Sequence, residues 1–182
     1  MAKIAFLDIK YWIVILSVFI FSSCKSSQKS DFSARSTRQD SGKIAAIRLT
    51  VITLEREQIG KKYQRSSKGP KTFDCSGLVH YVFNRMEMPM AASAMDQCNS
   101  GKKIELDEAQ DGDLIFFGGK DNITHVGIIT VNKKNQLMMV HSSSSRGVIE
   151  ENVLESDYWL RRMKYITKLT SYKKEKDISL KN

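Results

Sequence analysis

An α+β domain, with helices first and an antiparallel sheet after them, is what this chain predicts, on three observations. Apolar residues recur at helical spacing in two stretches of the N-terminal half, 43–59 and 75–86. Three short runs rich in Ile, Val and Phe follow between residues 114 and 142, parted by turn residues. Helices and strands are segregated along the chain instead of alternating, which argues for antiparallel pairing over βαβ units. A length of 182 residues suffices for one domain with a proper core, and an apolar fraction of 41% is ordinary for a globular protein.

Taken in order, the first 24 residues stand apart. Lys3 and Lys10 give a basic start, and Tyr11 to Phe21 (YWIVILSVFIF) is an apolar run of 11 residues. A membrane-spanning helix needs about 20 apolar residues, so the run has the length of a secretory signal core instead. Residues 25–42 are polar and serine-rich without an apolar period and read as a flexible tether. From Lys43 to Ile59, Ile44, Ile47, Val51, Leu54 and Ile59 mark a helix stopped by Gly60. The segment from Lys61 to Asp74 is a loop. From Cys75, the positions Leu78, Val79, Val82, Phe83 and Met86 form one buried stripe of a helix that ends before Pro89. Residues 87–112 match no template, apart from a turn at 108–113. LIFFG (114–118), HVGIITV (125–131) and QLMMVHS (136–142) read as strands. The run from Asp157 to Leu169 (DYWLRRMKYITKL) reads as a further strand, and a charged tail follows it.

Cys75 stands at a helix start. Unpaired N–H groups and partial positive charge there favour a thiolate, which is the reactive form of cysteine. The alternative is that Cys75 is a small buried hydrophobe, or half of a disulfide with Cys98. Of the three histidines, His80 falls within the Cys75 helix and reads as structural. His125 opens one predicted strand and His141 closes the next, with a turn at NKKN (132–135) between them. If Val131 faces Asn135, His125 faces His141, and facing residues stand about 5 Å apart on one face. A thiol, a histidine to take its proton and a second polar group to orient that histidine make the logic of a thiol hydrolase. One Cys and two His also suit zinc, so a metal site is the competing reading.

The blocks FDCSGLV, GDLIFFG, HVGIIT and VHSSSSRGV resemble the NlpC-type papain-like cysteine peptidases of bacterial cell walls, in their order and at their spacing, over about residues 43–168. The resemblance implies a papain-like fold and a triad of Cys75 as nucleophile, His125 as base and His141 as the orienting residue, with no cofactor. It implies that Tyr63 lies near the oxyanion or the substrate amine, and that Asp74 and Ser76 contact the substrate's N-terminal side. For Asp74 a second reading stands beside this, that it caps the Cys75 helix. Where the family carries an aromatic residue and two glycines after its tyrosine, this chain has Arg65, Ser66 and Ser67. SSC at 22–24 resembles the lipobox of bacterial lipoproteins, which implies cleavage before Cys24 and acylation of its sulfur and amine; an ordinary secretion signal is the alternative.

These readings give four segments: a lipoprotein signal at 1–24, a tether at 25–42, a peptidase domain at 43–170 and a charged tail at 171–182. Loss of Lys3, Lys10 and Asp8 with the signal turns 29 basic and 20 acidic residues into 27 and 19, a mature net charge of +8. That balance suits a polyanionic neighbour, and export argues against nucleic acid. The expected protein is a monomer, lipid-anchored in the cell envelope and facing the periplasm or wall. The resemblance implies that it cuts peptidoglycan stem peptides between D-glutamate and a diamino acid. An amidase acting at the sugar–peptide link and a catalytically silent wall-binding lipoprotein are the rivals.

Overall fold

A computed structural model describes residues 28–171. The signal, Cys24 and the tail beyond Ser171 lie outside the described residues. The chain divides into two compact units at Gly42 and Lys43, and the second contains the whole of the sheet.

Helix α1 spans Gln28–Arg56. It starts well before Lys43, where the sequence predicted a helix, so most of the segment expected as an irregular tether carries helical backbone. Between Gln28 and Gly42 there is no proline, and Gln, Lys, Arg and Ala are good helix formers. Two-residue strands β1 (Lys62–Tyr63) and β2 (Thr72–Phe73) pair in parallel within the predicted loop. Helix α2 (Cys75–Arg85) follows the predicted stripe, with Leu78, Val79, Val82 and Phe83 fully buried. The unassigned stretch 87–112 holds α3 (Ala94–Ser100), capped by Ser93, and β3 (Lys103–Ile104). Then come β4 (Leu114–Gly118), β5 (Ile123–Lys133), β6 (Gln136–Ser143) and β7 (Gly147–Asn152).

The last predicted strand is corrected. Its first half is helix α4 (Asp157–Arg162), and only its second half is β8 (Met163–Thr167). Ser156 caps the helix, Asp157 sits in its first turn, and Arg161 and Arg162 sit in its last. These match the helix dipole at both ends and outweigh the strand preference of Tyr158 and Trp159.

Strands β3 to β8 form one antiparallel sheet in the order β3-β8-β4-β5-β6-β7. Leu114, Phe116, Val126, Ile128, Val140 and Val148 share a core with α2 and with Val51 of α1. Ile115, Phe117, Ile129, Met139 and Ile166 form the second core with Trp159. Strand β4 is therefore buried on both faces, which is why LIFFG is unbroken by polar residues. Buried Asp113 ties α1 to the sheet. It accepts from Arg48 Nη1 at 2.7 Å and from the Leu169 amide at 2.9 Å.

Candidate active site

Cys75 is the first residue of α2, and the loop before it is fixed by backbone bonds. The Phe73 carbonyl accepts from the Ser142 hydroxyl at 2.9 Å and from the Gln64 amide at 3.1 Å. The first of these joins the approach to Cys75 to the residue after His141. The Asp74 amide donates to Ser67 O at 2.9 Å. A Cβ on Gly77 would lie 2.0 Å from that same oxygen, so the glycine of DCSG is what lets the 64–67 segment cross the first turn of α2. Ser66 in this segment has φ +62°, a glycine-like backbone without the glycine.

The two histidines meet, though not as direct partners. The turn is two residues long, with Lys133 opposite Gln136 and Val131 opposite Met138, instead of Val131 opposite Asn135. That register alone would put His125 and His141 on opposite faces of the sheet. A bulge between Ile129 and Val131 takes up one residue and sets Ile129 opposite Met139 and Ile128 opposite Val140. Continued along the strands, that pairing places Gly127 beside His141. His125 then lies two residues away on the same face. A Cβ on Gly127 would stand 3.2 Å from the His141 Cβ, so the glycine of HVG leaves room for His141 to reach past it. His125 Nε2 and His141 Nδ1 are 2.8 Å apart. A zinc ion needs about 2.0 Å to each nitrogen, which this direct bond leaves no space for. Among the described residues no cluster of three His, Cys, Asp or Glu is arranged to hold a metal, and Cys75 and Cys98 are both free thiols.

A cavity of about 520 Å³ opens at this point, lined by Tyr63, Cys75, His125, Arg146, Glu151 and Trp159 among others. Cys75 Sγ lies 3.9 Å from the Thr124 carbonyl. His141 stands behind His125 and is fully buried. Asp74 and Ser76 do not line the cavity. Asp74 Oδ1 accepts from the Gly77 amide at 2.6 Å, which is an N-cap bond. Lys68 Nζ reaches Asp74 Oδ1 at 3.2 Å, Ser76 Oγ at 3.1 Å and Ala92 O at 2.7 Å. Both side chains are thus engaged inside the fold, and for Asp74 the bond is the helix cap of its second reading. His80 joins Met90 O and Asn84 at 2.8 Å each, a structural role as expected.

Three residues that the sequence reading passed over complete the site. Glu151 Oε1 lies 2.7 Å from His141 Nε2 and accepts from Trp159 Nε1 at 2.8 Å; Oε2 accepts from Arg146 Nη2 at 2.6 Å. The indole of Trp159 stacks on His125 with centroids 4.9 Å apart and planes 26° apart. A signal for Glu151 was present. A turn at SSRG (144–147) with strand alternation puts it on the face of His141, two residues beyond Ile149, His141's observed partner. Trp159 was hidden because its stretch read as a strand.

The electrostatics differ from the expected activated thiolate. Burial and the Asp74 carboxylate push the Cys75 thiol up, against the backbone N–H groups of Ser76, Val126 and Cys75 itself. Burial, then the neighbouring His141, bring His125 down to about 3, against Glu151. Burial also lowers His141, with Glu151 opposing. Burial would raise Glu151, but bonds from Arg146, Trp159 and His141 outweigh it and hold it low. Burial, Cys75 and Asp74 raise Tyr63, so its hydroxyl stays a donor. The resting site is a neutral thiol beside a neutral imidazole, backed by an ionised carboxylate.

Comparison with known proteins gives one family. The NlpC/P60 family model matches residues 60–168, more than half of the chain. The chain is 32% identical over 136 residues to murein DD-endopeptidase MepH of Escherichia coli, covering 70% of this chain and 49% of that one. It is 31% identical over 152 residues to a probable endopeptidase of Haemophilus influenzae, covering 82% of this chain and 90% of that one. The solved structure of NlpC2 from Trichomonas vaginalis superimposes with a TM-score of 0.57 at 28% identity, over 65% of this chain and 44% of that one. This chain spans about half the length of MepH and 14% of the p60 protein of Listeria grayi.

Proposed function

The chain belongs to the NlpC/P60 family, with the α+β fold of that family, and on that premise we propose that it is a cysteine endopeptidase acting on peptidoglycan stem peptides. The observation that carries this is the shared cavity. Cys75 at a helix start and His125, bonded to His141 at 2.8 Å, open into one space with Tyr63 at its wall. Cys75 Sγ attacks the amide carbonyl while its proton passes to His125. The oxyanion accepts from the Cys75 amide, one of the unpaired N–H groups of the α2 terminus. His125 then protonates the leaving amine as the C–N bond breaks, leaving a thioester. Water, deprotonated by His125, attacks the thioester, the C–S bond breaks, and the leaving sulfur takes that proton back from His125 to restore the thiol. A neutral resting pair fits this sequence, because the proton has only to move as the carbonyl is attacked.

The bond proposed is that between D-glutamate and the diamino acid. The name of MepH gives a second reading, a DD-cleavage. Digestion of purified peptidoglycan, with fragments weighed by mass spectrometry, separates the two, and it separates both from amidase action on the sugar–peptide link. Cys75→Ala and His125→Ala should each remove nearly all turnover, since triad members act as a unit. His141→Ala should retain more. Undiminished cleavage by Cys75→Ala would end the proposal.

Cys24 is proposed as a lipid-anchored first residue, on the strength of SSC after a short apolar run. The segment from residue 25 to Gly42 would then be a spacer at the membrane. A tagged fatty acid fed to cells should label the wild type and leave Cys24→Ala unlabelled; equal labelling excludes the anchor.

A further inference from the structure

Cys75, His125 and His141 account for attack and proton transfer, but nothing in those three residues decides which nitrogen of each neutral imidazole carries its hydrogen. A neutral imidazole has one N–H and one lone pair. If His125 held its hydrogen on Nδ1, it would have no lone pair left for the thiol proton, because Nε2 is already engaged by His141. The site needs a group that removes this choice.

We propose that Glu151 is the positioning residue that fixes both tautomers, so that His125 Nδ1 is the basic nitrogen offered to Cys75. The proposal rests on the reading of Cys75 and His125 as nucleophile and base. An ionised carboxylate accepts hydrogen bonds and cannot donate. Glu151 is held ionised by three donors or charges around its two oxygens: Arg146 at 2.6 Å, Trp159 Nε1 at 2.8 Å and His141 Nε2 at 2.7 Å. His141 must therefore keep its hydrogen on Nε2, pointed at Glu151. Its Nδ1 is left with the lone pair, so the contact at 2.8 Å needs the hydrogen on His125 Nε2. The remaining nitrogen of His125 is then a bare acceptor. The opposite arrangement would aim the His141 Nε2 lone pair at a carboxylate oxygen 2.7 Å away, two acceptors with no hydrogen between them.

The strands hold this chain of contacts in register. His141 pairs with Ile149 across β6 and β7, and Glu151, paired with Met139, lies two residues along on the same face. Trp159 serves both ends of the relay. Its N–H holds Glu151, and its ring covers His125 at 4.9 Å, which keeps water from competing for the His125–His141 bond.

The test is a two-bond ¹H–¹⁵N correlation spectrum of histidine-labelled protein, in which the two tautomers give separate patterns, together with steady-state kinetics on a soluble stem peptide. Wild type should show His125 and His141 both as the Nε2–H form at pH 7. Glu151→Leu should turn His125 into a mixture and lower kcat by about 100-fold, with KM changed less than about threefold; a wrongly held tautomer has been worth more than that in serine triads. Glu151→Gln, which can still present an oxygen, should restore the tautomer pattern and much of the rate. His125 wholly as the Nε2–H form in Glu151→Leu would overturn the proposal, and so would a loss confined to KM, which would make Glu151 a substrate contact. Should neither variant fold, the wild-type spectrum decides alone, because His125 as the Nδ1–H form is incompatible with the relay. The spectrum needs no turnover, so a wild type inactive on every wall substrate would refute the endopeptidase reading and leave the tautomer result standing.

Discussion

Asp74 has two expected jobs, capping α2 and contacting the substrate, and the cap is the one with bonds in the structure. The Gly77 amide donates to it and Lys68 pairs with it, so it is committed to the start of α2. Asn caps a helix nearly as well as Asp, so Asp74→Asn should keep most activity. Asp74→Ala should lose about 1 kcal/mol of stability to the missing cap, read as a Tm lower by roughly 3 °C for a domain of this size. A large fall in kcat/KM for Asp74→Asn at unchanged Tm would return Asp74 to the substrate. His125 makes a prediction against pH. Its folded value of about 3 lies below the value of about 6.5 of an unfolded histidine. Between these values the unfolded chain takes up a proton that the folded chain refuses, so stability falls as pH drops from about 6.5 toward 3. The slope from this residue is at most about 1.4 kcal/mol per pH unit. Urea midpoints at pH 7 and pH 4 should therefore converge for His125→Gln relative to wild type, and parallel losses in the two proteins would contradict it.

At the level of elements, α1 carries an unusual core position. Glu55 is fully buried, and neither carboxylate oxygen has a hydrogen-bond partner among the described residues. Burial, and then Glu150, raise its pKa well above the ordinary value, against Arg56. It is carried protonated in the folded state and ionised in the unfolded one above its ordinary value of 4.5, so its contribution falls as pH rises from there. Glu55→Gln should stabilise the domain at pH 8 and make little difference at pH 4, measured by thermal unfolding; the reverse order would mean that the carboxylate is charged and paired. Elements of this kind also show what the sequence could and could not reveal. LIFFG was legible residue for residue, because burial on both faces leaves an unbroken apolar run. The stripe of α2 was legible because only one face of it is buried. The bulge in β5 was not, since Thr130 looks like any other strand residue and the offset appears only when two strands are laid side by side. The histidine pair was still foreseen correctly in kind. Turn and bulge together shift the register by two residues at the histidines, and an even shift preserves the face. The helix at Asp157 was missed because its decisive signal, Ser156 as a cap, lies outside the aromatic run that suggested a strand.

Over the whole molecule, the charge is the property that no single contact explains. The chain's net charge of +9, or +8 with the proposed signal removed, should draw the domain to a polyanionic wall, and such attraction is screened beyond about 8–10 Å at 0.1–0.15 M salt. Cleavage of intact sacculi should therefore slow as salt rises from about 20 to about 300 mM, while cleavage of a short soluble stem peptide stays within about twofold. Equal salt dependence on both substrates would mean that the charge acts inside the cleft. The protonated state of Cys75, half-buried at the wall of the cavity, has a bearing on how long such a molecule lasts. If the chain is exported as proposed, it lies beyond the thioredoxin and glutathione pools that keep cytosolic thiols reduced, and peroxides attack thiolates, not thiols. A nucleophile that is uncovered only as a substrate carbonyl arrives spends almost none of its life in the vulnerable form. If Cys75 is the nucleophile, as proposed, the surroundings that hold its thiol protonated also act as a preservative, and its exposure to oxidation should follow how often it turns over more than how long it waits.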